Sequence, residues 1–260
     1  MMTVRTALVT GASRGIGRAI AAQLLTDGFQ CALVARDLTA LNSTATELRQ
    51  HTEQQLITLS CDVTDAAQVD AMLHDVRAQL GRVDVIVNCA GRSGGGITSQ
   101  ISDRDWLDVI NTNLHSVFYV CRSALRDELI QRGGSIINIA STGGKQGVIH
   151  GAPYSASKHA VVGFSKALGL ELARDKADIT VNAVCPGFVE TEMAETVRAN
   201  YAKLWQVSAA EAKRRIEDRV PIGRYIEPAE VAALVAYLAS PMARGITAQA
   251  LNVCGGLGNY

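Results

Sequence analysis

Short apolar runs punctuate the chain, and between them lie longer stretches whose apolar positions recur every third or fourth residue. The runs 4–10, Gln30–Ala35, Leu56–Ser60, Val83–Asn88, 135–140, 179–185 and 250–254 predict strands, and their near-continuous hydrophobicity is that of strands covered on both faces. Helical periodicity predicts helices over 18–26 and 38–50, from near Ala66, from an Asp103 cap through Leu125, from Pro153 at a first helical position, and over 230–238. Strand and helix alternate before a last strand, the signature of an α/β fold. The expected architecture is a doubly wound parallel sheet of about seven strands with helices on both faces. Residues 189–219 differ in character. They are helix-prone, mixed in charge, carry Tyr201, Leu204 and Trp205, and follow a strand's carboxyl end, which suits a helical substrate lid. Tyr201 and Trp205 are either walls of a pocket or ordinary packing.

The 260 residues contain no Pro-rich, Ser-rich or highly charged linker and no internal repeat, so 1–260 reads as one domain. Aromatics are only 5% while hydrophobic residues reach 48%, a balance that suits a core of Ala, Val, Leu and Ile around glycine turns. A formal net charge of zero argues against a nucleic-acid or membrane-surface partner. Cys31, Cys61, Cys89, Cys121, Cys185 and Cys254 are spread without a C-x-x-C, so neither a zinc site nor a disulfide framework is indicated. Small core thiols in a reducing cytoplasm fit them best. The first strand runs into a glycine turn with no cationic leader before it, and no stretch reaches the ~20 apolar residues of a membrane span, so a soluble, unexported protein is expected.

Chemistry enters at the strand ends. Between the first strand and helix the chain reads Thr10-Gly11-Ala12-Ser13-Arg14-Gly15-Ile16-Gly17. Such glycines let the backbone approach a pyrophosphate, and the helix N-terminus offers it free N–H groups and a positive dipole end, so the turn predicts dinucleotide binding. Arg36 ends the second strand, where an acid would serve NAD and an Arg favours a 2′-phosphate. With Arg14 it points to NADPH, the alternative being Asp37 as ribose ligand. Asp62, followed by Val63, either accepts from an adenine amino group or caps the next helix. Asn88-Cys89-Ala90-Gly91 makes a tight turn fit to lie under a flat ligand, and Arg92-Ser93-Gly94-Gly95-Gly96 follows as a flexible loop. Asn111 and Asn113 interrupt an apolar helix, and Asn113 falls among residues expected to be buried. It needs partners, either a water or carbonyl inside the helix or a neighbouring helix. Ser141 arrives at a strand's carboxyl end, where open α/β sheets bind ligands.

Tyr154 and Lys158 lie one turn apart on one helical face. A phenol titrates near 10, but a cation ~4 Å away at an effective dielectric of ~20 is worth roughly 4 kcal/mol, or about three pKa units. Tyr154 is therefore expected to exchange a proton near neutral pH.

Thr10-Gly11-x-x-x-Gly15-x-Gly17, Asn88-x-Ala90-Gly91, Asn113, Ser141, Tyr154-x-x-x-Lys158 and Pro186-Gly187, in that order, resemble the short-chain dehydrogenase/reductase superfamily over essentially the whole length. The resemblance implies a Rossmann-type fold with NADPH or NADP+ as cofactor. It implies that Ser141 and Tyr154 hold the substrate carbonyl oxygen, that Tyr154 donates the proton, and that Lys158 lowers its pKa and binds the nicotinamide ribose. Asn113 would hold a water that relays protons to Lys158. Cofactor contacts are implied at Thr10, Gly11, Ser13, Arg14, Gly15, Ile16, Gly17, Arg36, Asp62, Val63, Asn88, Ala90, Gly91, Tyr154, Lys158, Pro186, Gly187, Val189 and Thr191.

Residues 92–96, 140–147, 184–191, 220–225 and 248–260 are similar, more narrowly, to the ketoreductases of bacterial aromatic (type II) polyketide synthases of the actinorhodin kind. That likeness implies an NADPH-dependent homotetramer of antibiotic biosynthesis. Such enzymes reduce one ketone, usually at the ninth carbon, of a poly-β-keto chain on acyl carrier protein. Ser93, Gly94, Gly95, Thr142, Gln146, Val148, His150, Tyr201 and Trp205 would line the pocket, and Arg92 would face the carrier's phosphopantetheine or acidic surface. The family's glycine loop commonly begins with Pro where this chain has Ser93, which leaves the handedness of the alcohol open. One rival is a 3-oxoacyl-[acyl-carrier-protein] reductase of fatty acid synthesis, which shares the superfamily residues. Another is a non-catalytic NADPH-binding regulator, against which the intact set Asn113, Ser141, Tyr154 and Lys158 speaks.

Overall fold

The chain runs β1 (Thr6–Thr10), α1 (Gly15–Thr26), β2 (Gln30–Ala35), α2 (Leu38–Arg49), β3 (Leu56–Ser60), α3 (Ala66–Leu80), β4 (Val83–Asn88), α4 (Asp103–Ile110) and α5 (Ser116–Arg126). It continues β5 (Ile130–Ile139), α6 (Ala152–Arg174), β6 (Thr180–Pro186), α7 (Glu192–Trp205), α8 (Ala209–Glu217), α9 (Pro228–Ala239) and β7 (Ala250–Val253). The structure is a computed structural model that describes residues 4–259, so Tyr260, the end of the tail noted above, lies outside the described residues. All seven strands pair in parallel in the order β3-β2-β1-β4-β5-β6-β7.

Alternation inside each strand supplies both faces of the sheet. Val9, Leu33, Val87 and Ile137 pack with Ile20, Leu41 and Val235 of α1, α2 and α9. Leu8, Val34, Ile86 and Ile136 turn the other way, onto Val69, Val117 and Val161 of α3, α5 and α6. Sequence order reverses beside β1, with β2 and β3 on one side and β4 on the other, so a crevice opens at the carboxyl ends of β1 and β4. Thr10 there lies beside Asn88, and Asn88 beside Asn138, which brings Ser141 to the same edge.

Several boundaries depart from the sequence reading for local reasons. β5 begins at Ile130 because Ile130 pairs with Val83 and Ser135 with Val85 across an irregular segment, 131–134, that hides the alternation. The helix expected from Asp103 is α4, a π-helical turn at Asn111–His115, and α5 in unbroken succession. Its cap is Ser102, which accepts from the Asp105 N–H, and not Asp103. Pro153 is the second position of α6, after a Gly151 cap and Ala152, rather than the first. The lid is two helices, α7 and α8, with a small core of Ala194, Ile216 and Tyr225, and residue 189 pairs with Ile226 in an isolated parallel bridge. Among the described residues no helix is long and apolar enough to cross a membrane.

Candidate active site

The glycine turn links β1 to α1 at the crevice. A Cβ at Gly17 would sit 2.2 Å from the Gly11 carbonyl oxygen, so only glycine lets the turn fold back on itself so tightly. α2 braces it from outside, where the Thr44 hydroxyl donates to the Ser13 carbonyl at 2.8 Å. Arg14 and Arg36 are exposed and have no side-chain hydrogen bond or ion pair among the described residues. Asp37, the alternative ribose ligand, is committed to capping α2, where it accepts from the Ala40 N–H at 3.0 Å. Asp62 does not cap α3. Its carboxylate accepts from the N–H and hydroxyl of Thr64, and Asp65 is the cap.

Two residues expected to touch a cofactor turn their side chains into the protein. The Thr10 hydroxyl accepts from the N–H groups of Cys89 at 3.1 Å and Ala90 at 3.2 Å, which ties β1 to the turn after β4. The buried Asn88 amide donates to Asn138 Oδ1 at 2.8 Å and to Cys121 Sγ at 3.4 Å. Through these bonds Thr10 and Asn88 shape the turn at Ala90 and Gly91, while Asn88 Oδ1 is buried without a hydrogen-bond partner among the described residues. Val63 and Val189 are buried in the two cores, and Ile16 and Ala90 pack against them. Pro186 closes β6, Gly187 lies against Cys254, and Thr191 caps α7 through the Ala194 N–H at 3.3 Å.

Asn113, Ser141, Tyr154 and Lys158 converge beside this turn. The π-helical turn inserts one extra residue into the helical ladder and swings Asn113 inward, where it is fully buried. Its Oδ1 accepts from the Arg92 N–H at 2.8 Å, while its Nδ2 donates to the Arg92 carbonyl and to Ser157 Oγ, both at 3.0 Å. Of the alternatives read from sequence, a neighbouring helix together with the glycine loop satisfies the amide. Gly91 marks the meeting point, since a Cβ there would lie 3.4 Å from Asn113 Oδ1 and 3.6 Å from Lys158 Nζ. The Ser141 hydroxyl accepts from the Gly143 N–H at 3.0 Å and stands close enough to the Tyr154 phenol to favour its ionised form. Lys158 Nζ donates to the Ile139 carbonyl at 2.8 Å and stands 5.9 Å from the Tyr154 ring centroid.

The residues expected to line a pocket divide into three groups. Val148 packs at Gly143, next to the Tyr154 ring edge, Thr142 is buried in the turn after Ser141, and Gln146 donates its N–H to the Thr142 carbonyl. The glycine loop is fastened above them. Gly96 donates to the His150 carbonyl at 2.7 Å, and a Cβ at Gly95 would stand 2.0 Å from that oxygen, so no larger residue passes there. Beside the half-buried Ser93, a cavity of about 310 Å³ has Arg92, Gly94, Gly95, Gln100, Asp105 and Pro153 on its wall. Tyr201 and Trp205 meet at a ring-centroid distance of 4.7 Å, tilted to each other and packed, partly buried, against the lid's own core.

Residues 5–202 match the model of the short chain dehydrogenase family. The chain belongs to the short-chain dehydrogenases. It is 58% identical over 256 residues to the granaticin polyketide synthase ketoacyl reductase 1 of Streptomyces violaceoruber, covering 98% of this chain and 93% of that protein. A crystal structure of a tryptophan variant of actinorhodin polyketide ketoreductase with NADPH superposes with a TM-score of 0.94. The two are 53% identical, over 100% of this chain and 99% of that one. The 3-oxoacyl-[acyl-carrier-protein] reductase of Salmonella typhimurium is 39% identical over 251 residues, 96% of each chain.

Within this short-chain dehydrogenase the electrostatics of the Tyr-Lys pair differ from expectation. Burial pushes the Tyr154 phenol above its ordinary value, partly opposed by the Ser141 hydroxyl, and pulls the Lys158 ammonium down to about 8. The first cause of both is desolvation, which penalises the phenolate and the ammonium alike, and the ammonium is turned toward the Ile139 carbonyl. Tyr154 therefore keeps its proton at neutral pH, and the expectation of proton exchange there is corrected for the protein by itself. Sequence reasoning also missed Ser157, which accepts from Asn113 and donates to the Tyr154 carbonyl at 2.8 Å. Its place beside Lys158 was the available signal. Lys145 was missed too. It ties the loop after Ser141 to β7 through the Ala250 carbonyl at 2.6 Å and Asn252 Oδ1 at 2.8 Å, a long-range contact with no local signature.

Proposed function

We propose that this protein is an NADPH-dependent ketoreductase that reduces one ketone, that at the ninth carbon, of an aromatic polyketide carried on acyl carrier protein, with Tyr154 as proton donor. The observation that carries the reading is the convergence of Asn113, Ser141, Tyr154 and Lys158 beside an open glycine turn. The residues fit a phosphorylated dinucleotide: α1 has no acidic side chain in its first turn, and Arg14 and Arg36 are unpaired at the crevice. The glycine turn would hold the pyrophosphate, the two arginines the 2′-phosphate, and Lys158 the nicotinamide ribose. NADPH bound there supplies the hydride.

Ser141 and Tyr154 would share the substrate carbonyl oxygen, so that charge developing on it meets two hydroxyl donors in a site of low dielectric. The phenol, kept neutral by burial, gives its proton to that oxygen. The Lys158 ammonium, 5.9 Å from the Tyr154 ring centroid, would turn from the Ile139 carbonyl to the phenolate left behind, and a water held at Asn113 would return a proton by way of Lys158. The granaticin and actinorhodin relatives support a polyketide substrate. Arg92, exposed and paired with Asp108 at 3.1 Å, is the side chain assigned to the carrier protein. Leu107, Phe118 and Leu170, apolar and exposed on α4, α5 and α6, support a homotetramer, which light scattering would test.

The test of the reaction is NADPH oxidation on trans-1-decalone and on a linear acetoacetyl thioester, side by side. Strong preference for the bicyclic ketone is expected. Preference for the thioester would move the protein to fatty acid synthesis, and no turnover with either, despite NADPH binding, would make it a regulator.

A further inference from the structure

The first turn of α7 lies over the glycine turn that would take the pyrophosphate. A methyl group placed on Gly15 would meet Thr191 Cγ2 at 3.3 Å and Glu192 Oε2 at 3.6 Å. Gly15 opens α1, whose N-cap, Arg14, makes no side-chain capping bond, so the positive end of that helix is left for an anion. The Glu192 carboxylate stands beside that end. It is exposed and has neither a hydrogen bond nor an ion pair among the described residues, the adjacent Arg14 included.

We infer that Glu192 is an affinity-setting residue of the cofactor site, a carboxylate held against the phosphate-binding turn that opposes the pyrophosphate and so weakens cofactor binding. The inference rests on the cofactor reading above. Two like charges a few ångströms apart repel even at the high effective dielectric of a protein surface, and salt at physiological strength screens such a pair only over ~8 Å. A Glu in the first turn of a helix also has an ordinary use, since it favours the helix dipole of α7. The two roles predict opposite signs. Removing a charge that only steadied α7 would loosen the lid and leave cofactor affinity unchanged or weaker. Removing a charge that opposes the pyrophosphate tightens binding. The same repulsion acts on reduced and oxidised cofactor alike, so its consequence for turnover is quicker release of the spent dinucleotide.

The experiment is a titration of Glu192→Gln with NADPH, followed by cofactor fluorescence, and with 2′-phospho-ADP-ribose, which keeps the pyrophosphate and lacks the nicotinamide. Both dissociation constants are expected to fall about 3- to 10-fold at low ionic strength, by the same factor, with the gain shrinking as salt rises. Glu195→Gln, the other acid of that first turn, should change neither by more than about 2-fold. Unchanged or weaker binding in Glu192→Gln would overturn the inference and leave the cofactor reading intact. A wild-type protein that binds no NADPH would overturn both.

Discussion

The platform that carries the candidate active site and the lid expected over it are built by opposite means. On the platform, Asn113 and Lys158 are buried and their polar atoms are held by neutral partners: backbone groups of Arg92 and Ile139, and the Ser157 hydroxyl. The lid is held by charge. Glu190 accepts from Arg198 at 2.5 Å and pairs with Lys213 at 3.0 Å, and both cations lie over the Tyr225 ring, at 5.2 and 5.7 Å from its centroid. Buried, satisfied polar groups enforce one geometry because every alternative leaves a group unpaired. Partly exposed ion pairs over a small core hold an element more weakly, and such elements open first. The division suits a reductase, whose reacting atoms need a fixed frame while its substrate needs an entrance.

The comparison breaks most visibly at Asn113. Asn113→Ala leaves the Arg92 N–H and carbonyl and the Ser157 hydroxyl without their partner, and each orphaned buried group costs ~1–3 kcal/mol. We expect roughly 4 kcal/mol of destabilisation in urea unfolding and a fall in kcat of about 100-fold. A loss below about 1 kcal/mol would show that the platform is not over-determined.

A smaller effect comes from Lys158 and pH. Its folded-state value of about 8 lies below the ordinary 10.5, so below about pH 8 the ammonium is charged in both states and the folded state bears the desolvation penalty. Between about 8 and 10.5 the unfolded chain holds the extra proton, and stability rises with pH. Unfolding of wild type and Lys158→Met should therefore diverge, wild type gaining ~2 kcal/mol on its variant between pH 7 and pH 10. Parallel curves would contradict the burial of a charged Lys158.

The smallest expected effect sharpens the lid side. Glu190→Gln removes pairs that are partly exposed, so stability should fall by less than about 1 kcal/mol. KM for the ketone should rise about 3- to 10-fold with kcat within about 2-fold, the outcome expected of an element that covers the substrate and stands apart from the reacting atoms. A fall in kcat as large as that of Asn113→Ala would place the lid in the catalytic frame.

The same division separates what sequence could foretell from what it could not. β2, β3 and β4 fall at the residues their apolar runs predict, because strands covered on both faces are marked by local composition alone. The glycine turn, Ser141 and the Tyr154-Lys158 spacing were legible because short-range geometry requires those residue types. The π-helical turn was not, since one inserted residue leaves the apolar period almost unchanged while it re-aims Asn113. Nor was the direction of the Tyr154 titration. Spacing placed a cation nearby, but only the packed structure shows that burial raises the phenol and that Lys158 turns to the Ile139 carbonyl. The positions of Tyr201 and Trp205 in the lid core depend on contacts with Ile216 and Tyr225 that no local pattern records.

The most direct measurement is a single-turnover comparison of wild type and Tyr154→Phe, with NADPH affinity measured on the same samples. The account predicts a dissociation constant within about 2-fold of wild type and a rate of ketone reduction lower by roughly 10³-fold, since the variant keeps the ring and loses the proton. A Tyr154→Phe protein that reduces the ketone at the wild-type rate would contradict it.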